Sequence, residues 1–326
     1  PFWLKRYGGP SEAWPLVFAM WCVSCCHGSQ EDSEPVKLVA QKEVIAFDNQ
    51  ETSEAGGNGS LDRSNTGASD ANAGPNGPLA TTAADDKDYK GEWVGGQRHG
   101  YGVQSWAEGA KYSGQWVSGK AEGTGRFEHL NGDCYVGDWK ADVAHGHGIY
   151  YRVNGSRYEG EWRNNRQHGH GVEMWPDGAK FEGQYALGTK QGFGRFSWAD
   201  DSYYEGQFHD NNIHGDGTYY WGVDRKYRGQ WQKNRMHGHG AFEWTDGRSY
   251  IGQFKEDLKD GQGIFKWQNG GVYDGSWKDG KQHGTGTYVS AKGERKTGEW
   301  DGGKRVRWHG PDANTVEKEL TESPET

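Results

Sequence analysis

Three groups of residues in this 326-residue chain have the types and spacing of chemistry. Histidines recur in pairs, as His145-Gly146-His147, His168-Gly169-His170 and His237-Gly238-His239. Imidazoles two residues apart lie on one face of a strand, a spacing that can bind Zn²⁺. No cysteine or carboxylate recurs as a fixed third ligand, however, and Glu122, Gln191 and Asp260 fill the first histidine's slot elsewhere. No metal site is expected. Glycines recur as Gly-x-Gly, from Gly100 and Gly102 to Gly284 and Gly286. A phosphate cradle would need Gly-x-Gly-x-x-Gly opening a helix, or Gly-x-x-x-x-Gly-Lys-Ser/Thr. Neither occurs, so no cofactor is expected. The third group is Cys22, Cys25 and Cys26, with Cys134 far away. That is no disulfide framework, and it points to a reducing compartment such as the cytoplasm. If Met20 is an initiator, these three thiols are candidates for S-acylation.

The elements that carry these residues follow from a period. Tyr-x-Gly-x-Trp occurs at Tyr89–Trp93, Tyr112–Trp116, Tyr135–Trp139 and Tyr158–Trp162, and again at Tyr227–Trp231 and Tyr273–Trp277. Between these fall variants beginning at Phe181, Tyr204 and Tyr250. Every step is 23 residues, and a tenth copy starts at Lys296-Gly298-Trp300 and loses register. Side chains alternate along a strand, so Tyr, Gly and Trp share one face. Eleven residues on, Gly-x-Gly-x-aromatic gives a second strand of the same period. Each copy is therefore a β-hairpin. Its two strands are expected to be joined by a loop, as at 94–98 and 163–167. Tighter Asn-Gly or Asp-Gly turns, such as Asn131-Gly132 and Asp177-Gly178, would join one copy to the next. At about 4.8 Å per strand, nine copies give roughly 85–90 Å of sheet. The expected fold is all-β: an elongated single-layer antiparallel β-hairpin solenoid. Glycines serve as sockets for aromatic rings, and polar residues line the opposite, wet face.

The spacing Tyr158-Glu159-Gly160-Glu161-Trp162, followed by Gln167-His168-Gly169-His170-Gly171, resembles the MORN repeat (membrane occupation and recognition nexus). The resemblance covers about 210 residues and implies an extended β-hairpin solenoid acting as a non-catalytic scaffold. Arrays of this kind occur in phosphatidylinositol-phosphate kinases of plant type, in junctophilins, in radial-spoke head proteins of cilia and in parasite cytoskeletal proteins. It therefore also implies two alternatives, a ciliary or cytoskeletal component and a phospholipid-binding module without a kinase domain.

Composition frames these readings. Mean hydropathy is −1.06, yet the chain holds 17 Trp and 17 Tyr, so aromatic rather than aliphatic side chains must fill the core. The expected organisation is a leader at 1–28, a disordered acidic linker at 29–88, the array at 89–310 and a disordered acidic tail at 311–326. Charge divides along the same lines. Residues 89–310 carry 30 Lys and Arg against 28 Asp and Glu, while the flanks carry 7 against 18. Nothing basic enough for nucleic acid is present. The expected partners are proteins, further copies of the array, and a membrane surface reached through the leader.

Overall fold

The structure, a computed structural model, describes residues 88–310. The expectations for the leader, for the linker up to residue 87, for the tail, and for Cys22, Cys25 and Cys26 lie outside these residues. The described chain folds as twenty antiparallel strands in one open sheet, from β1 (Tyr89–Val94) and β2 (Gln97–Ser105) to β19 (Arg295–Asp301) and β20 (Lys304–Trp308). Each strand pairs with the next in sequence, so the topology is an uninterrupted meander. The all-β, single-sheet expectation holds.

Each hairpin is built like β3 (Lys111–Val117) and β4 (Lys120–Glu128). Tyr112 and Trp116 are buried on one face, while Gln115 and Lys111 are exposed on the other. Across the sheet the glycines stand in register: Gly102 faces Gly114, Gly114 faces Gly125 and Gly125 faces Gly137. This column continues to Gly286 opposite Gly298. Within each hairpin the ladder is interrupted. Trp116 pairs with Ala121 and Gly114 with Gly125, which leaves residues 122–124 opposite Gln115 alone. Two extra residues keep the alternation in phase, so both halves of β4 still present one face to the core. The first glycine of Gly-x-Gly makes this bulge possible, with φ of +68° at Gly123.

The two reversals exchange the lengths expected of them. Inside a hairpin the chain turns in two residues, as at Asn164-Asn165, where φ is +51° and +63° and Arg163 pairs with Arg166. Two positive φ values in succession match the right-handed twist of the flanking strands. Between repeats the link is usually five residues. At 129–133 the His129 N–H donates to Asp133 O and the Gly132 N–H to His129 O. Only the glycine of Asn131-Gly132 takes positive φ, and Asn131 instead accepts the Asp133 N–H on Oδ1. Such an Asx turn wraps the longer link.

Candidate interaction surface

The tyrosine of each repeat lies along its own strand, over a pair of facing glycines. A Cβ on Gly114 or on Gly125 would run into the Tyr112 phenol, and the two strands meet so closely that a Cβ on Gly114 would lie 2.5 Å from Gly125 Cα. The glycines are sockets, as the spacing predicted. The phenol then donates to the carbonyl the bulge leaves open: Tyr112 Oη to Gln115 O at 3.0 Å. Tyr135, Tyr158, Tyr204, Tyr227, Tyr250 and Tyr273 repeat the bond. Burial raises the pKa of Tyr112, Tyr135, Tyr158, Tyr204, Tyr250 and Tyr273, that of Tyr273 to about 12, so their donor protons are retained at neutral pH.

In eight repeats the polar residue three after the tyrosine, or after Phe181, has a role that alternation concealed. Gln115 faces outward, yet its Oε1 accepts the Thr124 N–H at 2.9 Å, closing the bulge. Glu92, Asp138, Glu161, Gln184, Gln207, Gln230 and Gln253 do the same for their own bulges.

Tryptophans tie repeats together. Trp116 Nε1 donates to Gly102 O at 3.2 Å, in the preceding repeat, and Trp139, Trp162, Trp231 and Trp277 make the equivalent bond. Each ring sits edge-on to its own tyrosine and to that of the preceding repeat. The result is an unbroken edge-to-face ladder from Trp93 to Trp300, with centroids 4.9–5.6 Å apart. Trp93 departs from the expected buried face. With no repeat before it among the described residues, it is 44% exposed, against 1% for Trp116.

A second row, which the sequence only hinted at, runs beside the links between repeats. Trp175, Trp198, Trp221, Trp244, Trp267 and Trp308 are half-buried and pack against the core. With Phe196, Tyr219, Phe242, Phe265 and Tyr288 they form a continuous series of ring contacts from Trp175 to Trp308. Earlier in the chain Arg152 takes this slot and breaks the series, and ring contacts resume from Tyr150 through His129 and Phe127 to Trp106.

Polar side chains are buried among the rings at three places. Arg98 reaches Gln104 at 3.0 Å and lies 4.3 Å from the Trp116 ring. Fully buried Glu173 receives Lys190 at 3.0 Å, Arg152 at 3.1 Å and the Tyr185 phenol at 3.1 Å. Lys259 lies among Trp244, Tyr250, Phe265 and Trp277, with its amine 4.5 Å from the Phe265 centroid. No carboxylate pairs with it among the described residues, and burial lowers its pKa to about 8.

The bulge also separates the paired histidines. Gly146 has φ of +67°, His145 is half-buried and His147 is exposed. Among the described residues no three His, Cys, Asp or Glu side chains converge as metal ligands. On the face opposite the ladder, Gly206, Gly217 and Gly229 floor an open pocket of about 530 Å³, lined by Phe193, Glu205, Asp216, Thr218 and Arg228.

The chain matches the MORN repeat family over nine stretches: 89–111, 112–134, 135–157, 158–180, 181–203, 204–223, 227–247, 250–272 and 273–295. The lapses at 224–226 and 248–249 fall at or beside the two shortened links between repeats, residues 222–224 and 245–248. No curated protein matches the chain. Among solved structures it is similar to the TCP10 domain of Danio rerio CPAP, with 12% identity, a TM-score of 0.36, and 64% of this chain and 98% of that one covered. It is also similar to virginiamycin B lyase from Staphylococcus aureus, with 9% identity, a TM-score of 0.15, and 65% and 74% covered. Neither likeness bears on what this chain binds.

Proposed function

Because this chain belongs to the MORN-repeat family, we propose that it is a non-catalytic scaffold whose half-buried tryptophan row receives an extended apolar segment of a protein partner. The observation that carries this reading is the continuity of that row from Trp175 to Trp308. Partly exposed indoles on a rigid sheet lose little conformational freedom on binding and supply large contact areas, as residues that dominate interfaces do. The residues repeated through the array are occupied by architecture. Tyrosine fills the glycine sockets, tryptophan ties neighbouring repeats, and the polar residue three after the tyrosine closes the bulge. They form no nucleophile–base pair of the kind catalysis requires. Acylation of Cys22, Cys25 and Cys26 would hold the same scaffold at a membrane, with two acyl chains needed for stable attachment. The near balance of charge in the array argues against attraction to anionic lipid by the sheet itself.

Proximity labelling with the full chain, beside a Trp221→Ser/Trp244→Ser variant, tests the reading. The variant is expected to lose labelled proteins that the parent retains. An identical labelled set, with the melting temperature of the variant unchanged, would overturn it.

A further inference from the structure

The two ends of the sheet are built differently. At the C-terminal end β20 lacks Gly-x-Gly. Trp308 stands opposite Gly298, where a Cβ would lie 2.9 Å from its ring, and Arg305 covers Trp308 at 4.5 Å. Lys304, Arg305 and Arg307 line this outer strand, and charge of one sign on an edge opposes addition of another strand.

The N-terminal end has no such closure. β1 pairs with β2 on one side, and among the described residues no strand pairs with its other side. Among the described residues no preceding repeat covers Trp93, and it is exposed, unlike Trp116, Trp139 and Trp162 at 1–3%.

The residues of β1 read as self-complementary about Gly91: Tyr89-Lys90-Gly91-Glu92-Trp93. Two such strands laid antiparallel, with Gly91 opposite Gly91, continue the glycine column. That register sets Lys90 of each copy opposite Glu92 of the other, and Tyr89 opposite Trp93. The alternation puts both charge pairs on one face and both aromatic pairs on the other. The interior strands do not share this property. Glu159 and Glu161 occupy the same two positions in a later repeat and would repel, while Ser113 and Gln115 carry no charge. The Glu92 carboxylate is already held outward by the Tyr101 N–H on Oε1, 3.2 Å away.

We propose that the chain forms a two-fold symmetric dimer by antiparallel pairing of β1 with β1 of a second copy. The contact is isologous, so it closes at two chains instead of growing into a filament, and the capped β20 cannot extend it. It joins two scaffolds at their N-terminal ends and leaves both tryptophan rows open. It stands independently of what those rows bind.

Sedimentation velocity of the full chain over a range of concentrations tests this, with Lys90→Glu as the variant and Ser113→Glu, at the equivalent place on interior strand β3, as the control. The parent and the control are expected to dimerise, and Lys90→Glu to raise the dimer Kd by about tenfold or more, since both charge pairs become repulsive. Carbodiimide coupling of mixed ¹⁴N and ¹⁵N chains should yield a Lys90–Glu92 cross-link carrying both isotopes. A parent that is monomeric throughout overturns the proposal, including the case in which its own residues 1–87 cover the edge. A dimer that Lys90→Glu leaves intact, or that gives no mixed-isotope cross-link at this pair, overturns it as well.

Discussion

Lys259 shows what a charge costs inside the ladder. Its four aromatic neighbours favour the ammonium through their π faces, but burial outweighs them and lowers the pKa to about 8. The folded value lies below the ordinary 10.5, so the penalty is fully present below about pH 8 and is relieved as pH rises towards 10.5. Lys259→Met copies the residue found one repeat earlier, Met236. It should stabilise the fold at pH 7 by about 1–3 kcal/mol, less the nearer the pH comes to the unfolded value. Urea unfolding of both proteins at pH 7 and pH 10 checks this, and an equal gain at the two pH values would count against it. The sequence made the tyrosine–glycine sockets legible because Tyr112, Gly114 and Gly125 recur at fixed spacing. It did not reveal the cage around Lys259. That slot holds Arg98, Ala121, Gln167 and Ile213 in other repeats, so no period marks it as buried.

At the scale of the hairpin, the two-residue turn does more than reverse the chain. Asn165 accepts the Ala144 N–H on Oδ1 at 2.7 Å and donates its own N–H to Ala144 O at 3.0 Å. It thereby docks one hairpin on the one before. Asp142, Asn211, Asn234 and Asp257 repeat the side-chain bond. Asn165→Ala removes that bond and leaves a Cβ-bearing residue at positive φ without its local support. Its expected cost is about 1–2 kcal/mol, read as a lower urea midpoint, and an unchanged midpoint would refute the docking role. The turn types were misread from sequence for a physical reason. Asn-Gly is the usual signature of a two-residue hairpin turn. Here the Asn-Gly and Asp-Gly pairs lie within links of four or five residues, while residues as unremarkable as Leu187, at φ +53°, are held in the tight turns. The bulge was hidden for a related reason, because two extra residues leave the period-two pattern of β4 intact.

Across the whole array, contacts reach only the adjacent repeat, so the pattern can be interrupted locally. The interruption falls near the middle, where Phe181 and Tyr185 replace Tyr and Trp, and Glu173 replaces an aromatic residue. Removing the acid would leave Lys190 and Arg152 without their buried counter-ion, a loss of about 3–5 kcal/mol. In a nearest-neighbour array such a defect lowers cooperativity at one interface. Calorimetry of Glu173→Ala should therefore resolve two thermal transitions, and a single transition shifted as a unit would exclude this. The 23-residue period made the array legible, but an irregular Glu in one copy carries no signal of its partners until the strands are stacked. The bond from each tryptophan to the glycine carbonyl one repeat earlier has a further consequence, in the currency of genes. In-frame duplication of a unit that carries this tryptophan joins its indole to an equivalent carbonyl, so the array can lengthen by recombination without disturbing either end.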